Sequence, residues 1–295
     1  MSSRLRNALS AVLIALSCLL LPFGALAAWA AYGLADTGRY VTTMAPLATD
    51  PAVRDVVTDT VGAGILHEVP VGGPMRPFVR DAVRSFARTP AFRTAWDAGN
   101  RALHDAVLTA LRDDGEHVVT VDLAPVAAQV KRQLTDDHVP LAGRIPVEHA
   151  RVAILPPRDL DRLRKGYDVL EVAGFWLPVT AAALAVTGIA VAACRRRALT
   201  ATALGTALGG TFLGLAVAVG RRLTLADLPD PAHRPAAGAI YDALTETLRT
   251  VSWLLAAVGL TVALGCWLTG RCGHLMRARR PPAADPAQQP TRVQA

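Results

Sequence analysis

Four stretches of this chain lack every Asp, Glu, Lys, Arg and His: residues 8–34, 173–194, 198–220 and 251–270. A helix rising 1.5 Å per residue needs about 20 apolar residues to cross a hydrocarbon core of about 30 Å, and each stretch is long enough. That absence of charge excludes an ordinary water-soluble chain. Cysteine is scarce as well. Its four thiols, Cys18, Cys194, Cys266 and Cys272, all fall in or beside the charge-free stretches, and none lies between residues 35 and 172. The intervening segment therefore has no disulfide and no CxxC zinc or redox site to offer. Lysine is nearly missing too, since only Lys131 and Lys165 stand among 31 basic residues. Aromatics make up 5% of the chain, so the apolar stretches are built from Ala, Leu, Val, Gly and Thr.

Motifs that carry chemistry are also lacking. No GxSxG, SxxK or Walker A sequence occurs, which leaves nucleophilic and nucleotide chemistry without a visible carrier. His67, His117, His138 and His149 stand far apart, with no HxH, HxxxH or HExxH spacing for a metal. The acidic clusters at 113–116 and 136–137 lack the alternating oxygen ligands of an EF-hand loop. No cofactor and no metal is expected.

What is present is topological. The formal charge of +7 sits beside the apolar stretches, at Arg4, Arg6, Arg195 to Arg197, Arg271, Arg277, Arg279 and Arg280. Basic residues flanking short loops mark the cytoplasmic side, so both termini and the 195–197 hairpin are expected there. Within 35–172 the acidic residues slightly outnumber the basic ones, and nucleic acid finds no basic field. The expected order is a cytoplasmic N-terminus (1–7), a first span (8–34), an extracytoplasmic domain (35–172), a second span (173–194), a cytoplasmic hairpin (195–197), a third span (198–220), an extracytoplasmic loop (221–250), a fourth span (251–270) and a disordered cytoplasmic tail (271–295). The plasma membrane is the expected location. The first stretch has an alternative reading as a signal peptide cleaved after Ala25-Leu26-Ala27. Its length, and Trp29 and Tyr32 at its outer edge, favour a retained anchor.

The fold class is mainly α, with four transmembrane helices and a mostly helical outer domain carrying a minor two-stranded ribbon. Asp50 followed by Pro51 marks a helix start. The break at Val69 to Pro74 ends that helix, and Pro77 to Phe86 forms another. Phe92, Trp96, Leu103, Val107 and Leu111 recur at helical spacing over 91–111. Val118 to Val121 and Arg151 to Leu155 read as the ribbon, and Asp122 as the cap of a helix over 123–134. Residues 159–172 should lead into the second span, whose Pro178 falls near its start. Residues 238–250, with Ile240, Tyr241, Leu244 and Leu248, form an amphipathic lead-in to the fourth.

Two constellations stand out. Trp96, Asn100 and His104 share one helix face, with Arg101 and Asp97 beside them, an arrangement suited to binding a polar ligand or relaying a proton. The competing structural reading makes Trp96 a core anchor, lets Asn100 and His104 satisfy nearby backbone, and pairs Asp97 with Arg101. In the third span, Gly205, Gly209, Gly210 and Gly214 repeat a small-xxx-small pattern that permits close helix packing, against the second span or a second copy of the chain.

Asp36-Thr37-Gly38-Arg39-Tyr40-Val41, Ala45-Pro46-Leu47-Ala48, Asp50-Pro51-Ala52-Val53, Phe92 with Trp96, Asn100-Arg101 and His104, and Val121-Asp122-Leu123-Ala124-Pro125 together resemble an uncharacterised family of actinobacterial integral membrane proteins. The resemblance implies a membrane location and an external helical domain, and brings no activity or functional residue with it. Three functions follow from these readings. The first is a non-enzymatic envelope protein whose outer domain binds a partner or ligand or acts structurally, its partners being the lipid bilayer, another envelope protein or a second copy through the third span. The others are a transport or channel component with a path lined by span threonines, and a membrane enzyme using loop carboxylates and His104.

Overall fold

The computed structural model describes residues 3–68, 76–112, 119–122, 128, 132, 151–155 and 157–278, and this described part is mainly helical. In order along the chain lie α1 (Ser3–Trp29), a π-helical turn (Ala30–Leu34), α2 (Thr37–Met44), a 3-10 turn (Ala45–Thr49), α3 (Pro51–Glu68), α4 (Arg76–Phe86) and α5 (Pro90–Arg112). Then come the short strands β1 (Val119–Asp122) and β2 (Arg151–Leu155), α6 (Pro157–Val191), α7 (Arg195–Ala226), a 3-10 turn (Pro231–His233) and α8 (Arg234–Ala278). β1 pairs antiparallel with β2, flanked on both sides by residues outside the description. Most of the helix expected over 123–134 and the break at 69–74 fall outside the described residues; of the tail expected to be disordered over 271–295, residues 271–278 are instead the helical end of α8, and the remainder lies outside the described residues.

Four stretches, Arg4–Leu34, Leu163–Val191, Arg195–Ala226 and Pro231–Thr269, are helical, long and apolar enough to cross a membrane. In lipid, apolar side chains gain little by leaving one apolar surrounding for another, so small residues and hydrogen bonds must hold helices together. The interfaces follow that rule. α1 runs antiparallel to α6, and the buried hydroxyls of Ser10 and Ser17 donate to the carbonyls of Gly188 and Ala181, each at 2.7 Å. Pro178 lies well inside α6 rather than near its start, because that helix begins at Pro157. Its ring lacks an N–H for the helix ladder. There Gly24 of α1 comes so close that a Cβ on it would stand 3.1 Å from the Pro178 nitrogen.

The glycines of the third span divide between two partners. A Cβ on Gly205 would collide with the Cys18 sulfur of α1, and one on Gly209 would meet Leu21 at 3.3 Å. On the opposite side, a Cβ on Gly210 would sit 2.7 Å from the Ser252 carbonyl oxygen of α8, and Gly214 faces the Ser252 hydroxyl. Gly259 returns the contact from α8, with the Ala203 oxygen at 2.5 Å from its hypothetical Cβ. The second span is therefore not the partner of this pattern, although a tight turn joins it to the third. Both α6 and α7 dock small residues on α1, which separates them along most of their length.

The antiparallel pairings gather the start of α1, the α6–α7 turn and the end of the fourth apolar stretch at one end. Arg6 donates to the Val191 carbonyl at 3.3 Å, and Arg196 donates to the Cys266 carbonyl and the Thr269 hydroxyl, each at 2.7 Å. Arg6 thus sits at the carbonyl-rich C-terminal end of α6, where a cation is electrostatically favourable, whereas Arg196 binds inside α8.

At the other end a helical lobe is built by α2, α3, α4 and α5. Asp50 accepts from the amides of Ala52 and Val53 at 2.9 and 3.1 Å, which starts α3 as the Asp-Pro pair predicts. Met44, Leu47 and Val53 form a buried core that also contains Ala236 of α8, with Trp96, Ile240 and Leu244 packed around it. The segment 221–250, expected as a loop, is thus almost entirely helix: α7 continues to Ala226 and α8 starts at Arg234. Its apolar face completes the lobe.

Replacing Gly259 by Leu is expected to force α7 and α8 apart and destabilise the full-length protein by about 1–3 kcal/mol, as overpacking does in tight interiors. Gly265→Ala is expected to leave stability unchanged or raise it by up to about 1 kcal/mol, since the added carbon meets no neighbouring helix or side chain within 4 Å. Thermal unfolding in detergent measures both, and equal tolerance of the two changes would contradict the packing.

Candidate functional site

α5 crosses the lobe with its apolar edge inward, and Phe92 and Trp96 meet Phe86 of α4 in a second buried cluster. The polar residues on the same face take up backbone groups. The Trp96 indole N–H donates to the Met44 carbonyl at 2.9 Å, where α2 passes into the 3-10 turn. Asn100 donates to the Trp96 carbonyl one turn back, at 2.8 Å. His104 reaches furthest. Its Nε2 stands 2.8 Å from the Leu34 carbonyl, which only accepts, so this ring nitrogen is the donor. Its Nδ1 lies 3.1 Å from the Thr37 hydroxyl, which in turn donates to Asp105 at 2.6 Å, and the Tyr40 ring stacks on the imidazole with centroids 4.3 Å apart.

Trp96, Asn100 and His104 therefore come together as a seam. His104 clamps α5 to the point where the first apolar helix ends and α2 begins, Trp96 clamps it to the end of α2, and Asn100 bonds within α5. Arg101 is exposed beside them. Among the described residues the ion pairs join Arg84 to Asp81, Arg221 and Arg249 to Asp242, and His233 to Asp230 when protonated, so the expected Asp97–Arg101 pair is not formed. Burial pushes the Tyr40 phenol above its ordinary pKa, which suits a ring held between helices.

The seam borders a cavity that the sequence did not reveal. A crevice of about 670 Å³ opens between the end of α1, its π-helical turn, α2 and α8. Its lower wall is Ala25, Ala28 and Trp29 on α1 with Leu248 and Val251 on α8. Its upper rim is Asp36, Arg39, Thr42 and Thr43. The Trp29 indole donates to the Leu244 carbonyl at 3.1 Å and pins the two helices together at the crevice. The π-turn shapes the wall: Ala35 N–H reaches back five residues to the Ala30 carbonyl, a geometry that widens a helix locally. His104 fixes the same wall from outside by holding Leu34.

Across Tyr32, Asp36 and Arg39 lies a second cleft of about 380 Å³, closed by Arg112, Tyr167 and Glu171. Arg39 donates to the Tyr32 carbonyl at 3.3 Å, and Arg112 donates to the Tyr167 hydroxyl at 3.2 and 3.4 Å. A third cleft, of about 290 Å³, holds Arg221, Arg222, Asp242 and Arg249. Arg221 grips Asp242 through two bonds of 3.0 Å, a bidentate pair joining α7 to α8. Among the described residues no group of three or more His, Cys, Asp and Glu side chains could hold a metal ion.

Sequence reasoning found the seam but missed the crevice. Trp29 and Tyr32 carried a signal as interfacial aromatics, whereas Arg39, Arg112 and Glu171 carried none, because their neighbourhood forms only in the fold. No family model, curated protein or solved structure matches the chain.

Two outcomes are expected from the seam. Trp96→Phe keeps the ring but leaves the Met44 carbonyl without its indole donor, and should cost about 1 kcal/mol in the unfolding of full-length protein, while His104→Ala should cost about 1–3 kcal/mol and speed amide exchange around residues 34–37. The Tyr40 phenol gives a pH test. Its folded pKa is raised, so the unfolded chain loses this proton first, near pH 10, and the stabilisation is present below that pH and lost as the pH rises through the folded value. Tyr40→Phe should flatten the alkaline fall in stability, and an unchanged slope would remove Tyr40 from the account.

Proposed function

We propose that this chain is a non-enzymatic, multi-pass protein of the plasma membrane whose extracytoplasmic lobe holds a ligand at the outer membrane boundary. The observation that carries this reading is the junction crevice. It lies beside the buried cluster that the lobe shares with α8, and its walls come from both the membrane helices and the lobe. The lobe has one buried cluster of its own, around Ala48, Ala87 and Phe92, and a second that it shares with α8. The shared cluster is completed by Ala236, which joins the lobe to a membrane helix. The β1–β2 ribbon belongs to the same lobe in this reading, and the likeness to actinobacterial membrane proteins agrees with it.

The residue roles favour binding over catalysis. Asn100 gives an amide N–H to the Trp96 carbonyl and His104 its Nε2–H to the Leu34 carbonyl, with Nδ1 against Thr37, so these strongest chemical candidates are used in packing the helices. A polar transport path is also disfavoured, because Thr200, Thr202, Thr211 and Thr261 donate to carbonyls four residues back in their own helices. The orientation rests on the arginines gathered at the end opposite the lobe, which by the charge rule is cytoplasmic.

Two experiments test the proposal. In intact cells a membrane-impermeant maleimide should label Thr60→Cys on the exposed face of α3 and leave the exposed native Cys194 unmodified until lysis. The reverse pattern would invert the topology. Gently extracted full-length protein should carry one small molecule as added mass in native mass spectrometry. Ala28→Trp, which fills the crevice, should remove it. Retention unchanged by that substitution would end the ligand-holding reading.

A further inference from the structure

We infer that the occupant of the junction crevice is one zwitterionic phospholipid from the bilayer, with an acyl chain between α1 and α8 and its headgroup on the turn that carries Asp36 and Arg39. The inference rests on the proposed reading of the crevice as a ligand site and names the ligand's chemistry.

Depth comes first. Ala25, Ala28 and Trp29 occupy the last turns of the charge-free stretch 8–34, and Val251 opens the charge-free stretch 251–270. From Ala25 to Trp29 the wall rises about 6 Å along α1 at 1.5 Å per residue, and the π-turn carries it on to Leu34. This floor is at hydrocarbon level, so what reaches it laterally is an acyl chain rather than water. The rim is different in kind. Asp36 and Arg39 are the first charged residues after the stretch, and Thr42 and Thr43 add hydroxyls. Apolar below and polar above, the cavity has the profile of an amphiphile, and its 670 Å³ falls in the range of small-molecule sites.

Charge selects the headgroup. Tyr32, Asp36 and Arg39 line both the crevice and the adjoining cleft, so a headgroup at the rim also meets Arg112 and Glu171. Two guanidiniums and two carboxylates make a balanced set. The guanidiniums suit a phosphate, because each has five donors: Arg39 directs Nη1 to the Tyr32 carbonyl, Arg112 directs Nε and Nη2 to the Tyr167 hydroxyl, and further donors remain on each. The carboxylates suit an ammonium. A lipid with a net negative headgroup would present the same phosphate to Arg39 and Arg112 but no ammonium, leaving Asp36 and Glu171 without a cationic partner beside that phosphate, which discriminates against it.

Full-length protein reconstituted in nanodiscs of equal phosphatidylethanolamine and phosphatidylglycerol, then released for native mass spectrometry, tests this directly. The wild type is expected to retain one phosphatidylethanolamine with at least about fivefold preference, a difference on the order of 1 kcal/mol. Arg39→Gln with Arg112→Gln should lower that retention at least about fivefold. Asp36→Asn with Glu171→Gln should shift the preference toward phosphatidylglycerol, and the Asn keeps the helix cap that Asp36 gives α2. Equal or stronger retention of phosphatidylglycerol by the wild type would overturn the zwitterionic assignment and leave the ligand site standing. Equal retention of any lipid by the wild type, Ala28→Trp and Thr247→Trp, which fill the crevice from opposite walls, would show annular lipid only and overturn the site as well.

Discussion

Close backbone approach between helices in an apolar surrounding is the constraint on which the rest of this structure depends. Where burying one alkyl chain against another gains little, the order of the helices is set by where Gly, Ala and Ser permit contact. Here Gly24 and Gly174 bring α1 to α6, Gly205 and Gly209 bring α7 to α1, and Gly210 and Gly259 join α7 to α8. The order that results is α6, α1, α7, α8. It places the lobe-side ends of α1 and α8 on either side of α7, where Ala25 and Trp29 meet Leu213, Val217 and Leu248. Every feature of the junction, including the crevice, follows from that adjacency.

The lobe then builds on what the bundle offers. α8 continues beyond its charge-free stretch as a single helix back to Arg234 and carries Ala236, Ile240 and Leu244 into the core formed by Met44, Leu47 and Val53. A rigid helix that is both membrane span and lobe core transmits position without a hinge. On the opposite flank, His104 and Trp96 tie α5 to the Leu34 and Met44 carbonyls, at the two ends of α2. The turn bearing Asp36 and Arg39 is therefore fixed from both sides.

Much of this was legible in the residues. Four charge-free stretches gave the apolar helices, Asp50-Pro51 gave the start of α3, and the spacing of Trp96, Asn100 and His104 gave one face whose side chains do act together. The segment 221–250 was misread for a physical reason. Arg221, Arg222, Asp242 and Arg249 look like solvated loop charges when read singly, but Arg221 and Asp242 neutralise each other between neighbouring helices, so the helices run on past the apolar stretches. The glycine pattern in the third span was visible, yet a sequence gives no sign of which helix receives it. Pro178 likewise looked terminal only because the start of α6 was placed by hydropathy rather than by its own first residue.

The crevice was out of reach for a deeper reason. Its walls join residues some 220 positions apart, such as Ala28 and Leu248, and its shape depends on a π-turn that no residue in Ala30–Leu34 announces. A regular α-helix through those residues would repeat every 3.6 positions and keep its carbonyls bonded along the axis, whereas the five-residue closure from Ala35 to Ala30 widens that turn. The His104–Leu34 bond is what makes this irregularity coherent. It gives a carbonyl at the end of the turn a partner from α5, and in doing so sets the crevice wall at the level where the apolar stretch gives way to charge.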